Sequence, residues 1–162
     1  MPEIVVDVVV RAPADVVFQF ATTPRNWPKF WPVTLGVTGS VDQSPHIGAR
    51  WTEKVRLWFW TGDFFWHAVA TSPPRSFEMH CTTKGFGLLG RLAGRTTGQI
   101  RYELREHEGR TTLKRVLHYQ EARLLGRLLD VLITRWFLTM VARRALANLA
   151  TIFDRAHEGG AA

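Results

Sequence analysis

The spacing of apolar residues along this chain changes period once. As far as about Tyr119 they recur mainly at every second position, as in half-buried strands; beyond that they follow the three-to-four spacing of a helix. Ile4 to Val10 is a β-branched run with Ile4, Val6, Val8 and Val10 on one face and Asp7 on the other, which predicts a first strand. Ala12-Pro13-Ala14-Asp15 then opens a short helix to about Ala21. Pro near a first turn lacks only an amide that would be unpaired there, and Asp15 suits the positive end of the helix dipole. Thr23 to Pro32 is dense in Pro and aromatic residues and has room for one helical turn, because Pro28 prevents a longer one. Trp27, Phe30 and Trp31 in it either plug one end of the core or form the mouth of a pocket.

Six more strands are predicted. Val33 to Asp42 contains Gly36 and Gly39, and Gly within a strand marks a bulge or bend. In Trp51 to Trp60, Trp51, Glu53, Val55, Leu57 and Phe59 face inward, because Lys54 and Arg56 belong in water. Glu53 is then an acid on the apolar face, solvated at a strand end or acting as a functional group. A turn is expected at Thr61-Gly62-Asp63, followed by Phe64 to Thr71, with Phe64, Trp66, Ala68 and Ala70 inward. After the stop Ser72-Pro73-Pro74-Arg75, residues Phe77, Met79 and Cys81 alternate with Glu78, His80 and Thr82. Thr97 to Arg105 points Ile100, Tyr102 and Leu104 inward, and Glu106-His107-Glu108-Gly109-Arg110 forms a polar hairpin turn. Thr111 to Tyr119 points Leu113, Leu117 and Tyr119 inward, a register that carries Arg115 to the same face.

Ala122 to about His157 lacks Pro and is rich in Leu, Ala and Arg, so it reads as one long helix, with a turn near Gly126 as a variant. Leu128, Val131, Leu138, Ala142, Ala145, Leu146, Leu149 and Phe153 share one face, which needs a sheet to cover it. Leu129, Leu132, Ile133, Trp136, Phe137 and Met140 lie roughly opposite. Loops, a dimer contact or a membrane surface are the alternatives for this second face, since Arg123, Arg127, Arg135, Arg143 and Arg144 are interspersed with it. A bilayer span needs about 20 predominantly apolar residues, and Arg135 and Arg143 interrupt the stretch too soon.

Composition narrows the function classes. A chain of 162 residues with 46% hydrophobic and 22% charged residues suits one globular domain, taken as 1–158 with a short disordered tail at 159–162. Seven Trp and ten Phe can build a core or line a pocket. The net charge of +7 suits an anionic partner or serves only solubility. The single Cys81 excludes an intrachain disulfide and a Cys-cluster metal site, and its alternation marks a small core residue. The amino terminus has no basic leader before an apolar core, so a cytoplasmic, possible membrane-peripheral, location is expected.

Lys84 to Arg95 combines four Gly with Phe86, Leu88, Leu89 and Leu92 and basic Lys84, Arg91 and Arg95. It lacks the Gly-Lys-Ser/Thr ending of a phosphate loop. A lid, a contact with an anionic membrane shared with the carboxy-terminal helix, and a tucked connector are the alternatives. None of His67, His80, His107 and His118 stands at metal-ligand helical spacing, and no nucleophile elbow occurs. No metal or cofactor is therefore expected, and no nucleic-acid partner, since the charge has no matching motif and most Trp alternate in core-like positions; a homodimer is possible.

These features together resemble the START-like or SRPBCC superfamily, the helix-grip fold, and within it the polyketide cyclase/dehydrase and lipid-transport group. The resemblance rests on Ala12-Pro13-Ala14-Asp15 with Val16, Val17 and Phe18; Thr23-Pro24 with Trp27 and Trp31; Gly48 with Trp51; Ser72-Pro73-Pro74-Arg75 with Phe77; the Tyr102 strand; and Leu146, Asn148 and Leu149 in the last helix. It covers nearly the whole chain and specifies fold better than activity. It implies an α+β protein: a curved antiparallel sheet of about seven strands around a long carboxy-terminal helix, two short helices after strand 1, and an apolar cavity between sheet and helix.

The expected role is binding or carriage of a small hydrophobic ligand, such as a lipid, polyketide or quinone-like molecule, with or without an acidic group. Cavity walls would come from Trp27, Trp31, Trp51, Val55, Phe64, Trp66, Phe77, Met79, Tyr102, Leu138 and Ala142, in a space of about 300–1,000 Å³. The second reading is an aromatase/cyclase, a lyase-type enzyme in which Glu53, Tyr102, Arg115, Tyr119 or Arg135 polarises a carbonyl or moves a proton. Arg135, near the cavity-facing stripe, either holds an acidic headgroup or snorkels at the rim. The third is an interaction module that docks through Trp136, Phe137 and Met140.

Overall fold

The computed structural model describes residues 2–57, 60–84, 95–121 and 135–159. Its elements are β1 (Glu3–Val10), α1 (Ala14–Thr22), a 3-10 turn (Pro24–Asn26), α2 (Trp27–Phe30), β2 (Thr34–Gly39), β3 (Arg50–Leu57), β4 (Trp60–Ser72), β5 (Ser76–Lys84), β6 (Arg95–His107), β7 (Arg110–Glu121) and α3 (Arg135–Gly159). The strands form one curved antiparallel sheet in the order β1-β7-β6-β5-β4-β3-β2. Chain order is kept from β2 to β7, and β1 joins the far edge beside β7. The long α3 packs mainly along β1 and also touches α2. This is the helix-grip arrangement that the resemblance implied.

Alternation sets which side of the sheet is buried. Ile4, Val6 and Val10 of β1 are buried, while Val5 and Val9 are exposed. Ala142, Ala145, Leu146 and Leu149 bring the buried stripe of α3 into the same core. Two register shifts, at Thr34/Gly36 and at Ala68/Ala70, mark bulges, and bulges bend strands and increase their twist.

Long-range polar contacts fix α1. The first helical amide, on Ala14, donates to Glu106 Oε2 at 2.8 Å, so a carboxylate from the end of β6 caps the helix. Thr111 Oγ1 donates to Ala12 O at 2.7 Å. The β6–β7 hairpin turns on Glu108 and Gly109, both at positive φ, as the tight hairpin turn that follows strand twist requires.

The structure corrects the expected pattern in several places. Thr61-Gly62-Asp63 is not the turn: these residues lie inside β4, opposite Arg56, Val55 and Lys54, and the chain reverses between the paired residues Leu57 and Trp60. Ala70 is exposed, because the adjacent bulge breaks the alternation that would have turned it inward. The last helix continues to Gly159, beyond His157 and into the expected tail. Residues 122–134, with the first part of the expected helix, and 85–94, with most of the Gly-rich stretch, lie outside the described residues. Among the described residues no helix is long and apolar enough to cross a membrane.

One glycine is required by packing. A Cβ on Gly98 would stand 2.8 Å from Cys81 Sγ on the neighbouring strand. Gly98→Ala is therefore expected to lower stability by about 1–3 kcal/mol in urea unfolding. Adding Cys81→Ala should restore much of the loss; if the double variant is no more stable than Gly98→Ala, the contact is not the cause.

Candidate functional site

Because the pleat sends alternate residues to one face, the concave side of the sheet collects a defined set. Trp51, Glu53 and Val55 come from β3, Phe64 and Trp66 from β4, Phe77, Met79 and Cys81 from β5, Tyr102 from β6, and Arg115 and Tyr119 from β7. In a flat sheet, β3 and β7 would stand far apart. Curvature makes them face each other, close enough that the Arg115 charge acts on Glu53.

Much of this interior is aromatic. The Trp27 ring meets those of Trp51 and Trp66 edge-on, each at 5.7 Å between centroids, and Trp51 and Trp66 stack at 6.4 Å. Phe64 stacks on Trp66 at 5.9 Å. Trp27 is only 2% exposed, and its Nε1 donates to Ala21 O at 3.1 Å. Of the two roles open to it, Trp27 plugs the core. Trp31 is half-buried beside that plug.

An acidic and a basic side chain are buried in the same interior, Glu53 at 6% exposure and Arg115 at 5%. Such residues are rarely buried without partners. The Glu53 carboxyl accepts from Thr34 Oγ1 at one oxygen and from Trp66 Nε1, at 2.9 Å, at the other. Burial nevertheless pushes its pKa up to about 7, against the pull of those two hydrogen bonds and of Arg115. Near neutral pH the group is therefore poised between acid and carboxylate.

The Arg115 guanidinium lies 4.8 Å from the centroid of the Trp31 ring, a cation–π contact. It also donates to the Tyr102 hydroxyl, which accepts from Trp31 as well. Burial lowers the Arg115 pKa and raises that of Tyr102, and their mutual attraction opposes both shifts. Among the described residues, Arg115 Nε and Trp51 Nε1 are buried donors without a hydrogen-bond partner. A buried donor left unmade carries a desolvation cost that an acceptor on a bound molecule would relieve.

The structure thus gathers Glu53, Tyr102 and Arg115 in one interior. Tyr119 is buried on the same face of β7. Val55, Phe77, Met79 and Ala142 are buried, whereas Phe64 and Leu138 are half-buried against the core. Arg135 stands apart, exposed in the first described turn of α3, so its own placement favours the snorkelling alternative. Sequence reasoning missed Thr34 and Trp66 as the groups that hold Glu53. Trp66 had a signal, as an indole N–H needs a partner when buried; Thr34 had none, because the bulge after it sets its reach. A surface depression of about 200 Å³ at the β2–β3 connection, lined by Gly39 to Asp42 and by Pro45 and His46 among others, shares no residue with this interior.

Cys81 is buried and its thiol is pushed up to about 12, first by burial and then by the nearby Glu53. The thiolate is the reactive form, so native protein at pH 8 is expected to resist a thiol reagent that labels the urea-unfolded chain within minutes. Equally fast labelling of both would show Cys81 to be accessible. Among the described residues no group of three or more His, Cys, Asp or Glu is arranged to hold a metal ion.

Comparison with known proteins gives three kinds of similarity. A protein of the penitrem biosynthesis cluster (protein I) from Penicillium ochrochloron is 28% identical over 79 residues, 48% of this chain and 52% of that protein; the chain thus matches about half the length of this curated relative. Among solved structures, the di-domain aromatase/cyclase BexL of the BE-7585A biosynthetic pathway superposes with a TM-score of 0.67 at 16% identity, covering 93% of this chain and 46% of that one. A Mycobacterium smegmatis protein superposes at 0.68 with 22% identity, covering 96% of this chain and 92% of its own. At these identities the structural likeness concerns the fold alone. Residues 1–154 match the model of one family, and the chain belongs to it: polyketide cyclase/dehydrase and lipid transport.

Proposed function

We propose that the protein binds a small, largely apolar ligand carrying an oxygen acceptor, such as a carboxylate, in the concave interior under α3. The observation that carries this reading is Arg115: a buried guanidinium, stacked on Trp31 and bonded to Tyr102, with its Nε proton unmet among the described residues. Aromatic walls supply contact area, and the guanidinium supplies orientation. Hydrogen bonds to charged groups contribute about 1.5–3 kcal/mol, enough to rank acidic ligands above their neutral analogues.

A matched pair of probes tests this: 2-naphthoic acid and its methyl ester, titrated by calorimetry. Wild type should bind the acid about tenfold or more tightly than the ester, and Arg115→Met should lose that preference while binding the ester as before. No saturable binding of either probe, or an unchanged preference in a folded Arg115→Met protein, would reject the assignment.

Glu53 favours a second reading. A carboxyl poised near pH 7, facing an interior that also holds Tyr102 and Arg115, suits proton transfer to or from a ligand carbonyl compound. The likeness in fold to an aromatase/cyclase and the family description agree with cyclase or dehydratase chemistry. In that case Glu53→Gln abolishes turnover but not ligand binding, whereas for a carrier the two proteins deliver ligand alike.

A further inference from the structure

The outward face of α3 sets exposed apolar side chains beside exposed basic ones. At about 100° per residue, Trp136, Met140, Arg143, Arg144 and Ala147 fall within one stripe, opposite the buried stripe of Ala145 and Leu149. All five are exposed, Trp136 by 67% and Met140 by 43%. Burying an indole and a thioether would be the ordinary arrangement. Here they stand in solvent at the start of the described helix, with two arginines on the next turn. Among the described residues, neither Arg143 nor Arg144 has an acidic partner. Asp154, further along, lies 3.9 Å from Arg11 instead.

We infer that this stripe docks the protein on an anionic lipid surface, with Trp136 and Met140 at the boundary of headgroups and chains and Arg143 and Arg144 against lipid phosphates and carboxylates. The chemistry is complementary at each position. Trp prefers the membrane interface, where its ring is buried and its N–H stays wet. Arg extends its stem along apolar surface and keeps its charge among headgroups. An amphipathic helix with aromatic and basic residues lies in the interface plane, and the chain's net charge of +7 adds long-range attraction. A second copy of the chain fits less well. A two-fold contact pairs a patch with itself, which here gathers arginines from both copies around a small apolar centre. The inference is independent of what the interior binds, since partition onto lipid does not require a ligand.

Co-sedimentation of the full chain with vesicles tests it. Vesicles of phosphatidylcholine alone are compared with vesicles in which about one-third of the lipid is phosphatidylserine. The protein should partition onto the anionic vesicles, less so as salt is raised. Replacing both Arg143 and Arg144 by Gln should lower the partition constant about 25-fold, and Trp136→Ser about tenfold. All variants should keep the wild-type melting temperature, because these side chains are exposed. The inference falls if partition is equal on both vesicles or absent, or if the variants bind like wild type. It also falls if the protein is a dimer that Trp136→Ser makes monomeric, which would assign the face to a second copy of the chain.

Discussion

Glu53→Gln should abolish a fall in stability of about 3 kcal/mol that wild type undergoes between about pH 4.5 and just above pH 7. The carboxyl's pKa in the folded protein is about 7 against an ordinary 4.5, chiefly because burial disfavours the charge. The folded state thus holds a proton that the unfolded chain releases earlier. Stability is greatest while both states are protonated, below the ordinary value. It falls as pH rises through the window, because the unfolded chain gains by ionising and the folded one does not. The loss amounts to about 1.4 kcal/mol for each pH unit between the two values, and above the folded pKa it is complete and the curve flattens. Gln carries no proton to lose. Its carbonyl can accept from Trp66, and its amide can donate to the Thr34 hydroxyl, so the contacts of the neutral acid are kept. Exposed carboxylates titrate alike in both proteins and cancel in the difference. Urea unfolding of both from pH 4 to 8.5 gives the result: converging stabilities at low pH, with the variant more stable by about 3 kcal/mol above neutrality. Parallel curves would mean that Glu53 is ionised throughout, held by Arg115.

Trp27→Ala is expected to cost about 3–5 kcal/mol and to lower Tm by roughly 10 °C or more. The side chain is almost wholly enclosed, meets Trp51 and Trp66 edge-on, and ties α2 to the end of α1 through Ala21 O. Its removal leaves a space that the two stacked indoles, anchored on strands, cannot close. Trp27→Phe keeps an aromatic ring but loses the hydrogen bond, and should fall between the two. A loss below about 1 kcal/mol for Trp27→Ala would place the ring at a collapsible opening rather than in a packed core.

The strands were readable because burial on one face imposes a period of two. Phe77, Met79 and Cys81, then Ile100, Tyr102 and Leu104, are buried as their alternation predicts. The same arithmetic put Arg115 inside on β7, against its polarity. It failed where backbone irregularity replaced alternation. The bulge at Ala68/Ala70 turned Ala70 outward, and the run of aromatics hid the reversal between Leu57 and Trp60. For Arg135 the helical wheel left two roles open, since it ranks directions, and whether a residue near the stripe is covered depends on what stands beside it; in the structure Arg135 is exposed.

The sequence alone determined the order of elements, the inward set on most strands and the buried Ala142, Ala145, Leu146 and Leu149 of the last helix, since these follow from local periods of apolar residues. Only the tertiary structure decided that Glu53 and Arg115 act on one another, that Thr34 and Trp66 hold Glu53, and that Glu106 caps α1. Those pairs lie between 13 and 92 residues apart along the chain. Thr34 and Trp66 reach Glu53 from the two strands paired with β3, and Glu106 reaches α1 from the end of β6; Arg115 acts on Glu53 because a bulged, twisted sheet curls β3 and β7 toward each other, and curvature is a property of the assembled sheet rather than of any one strand.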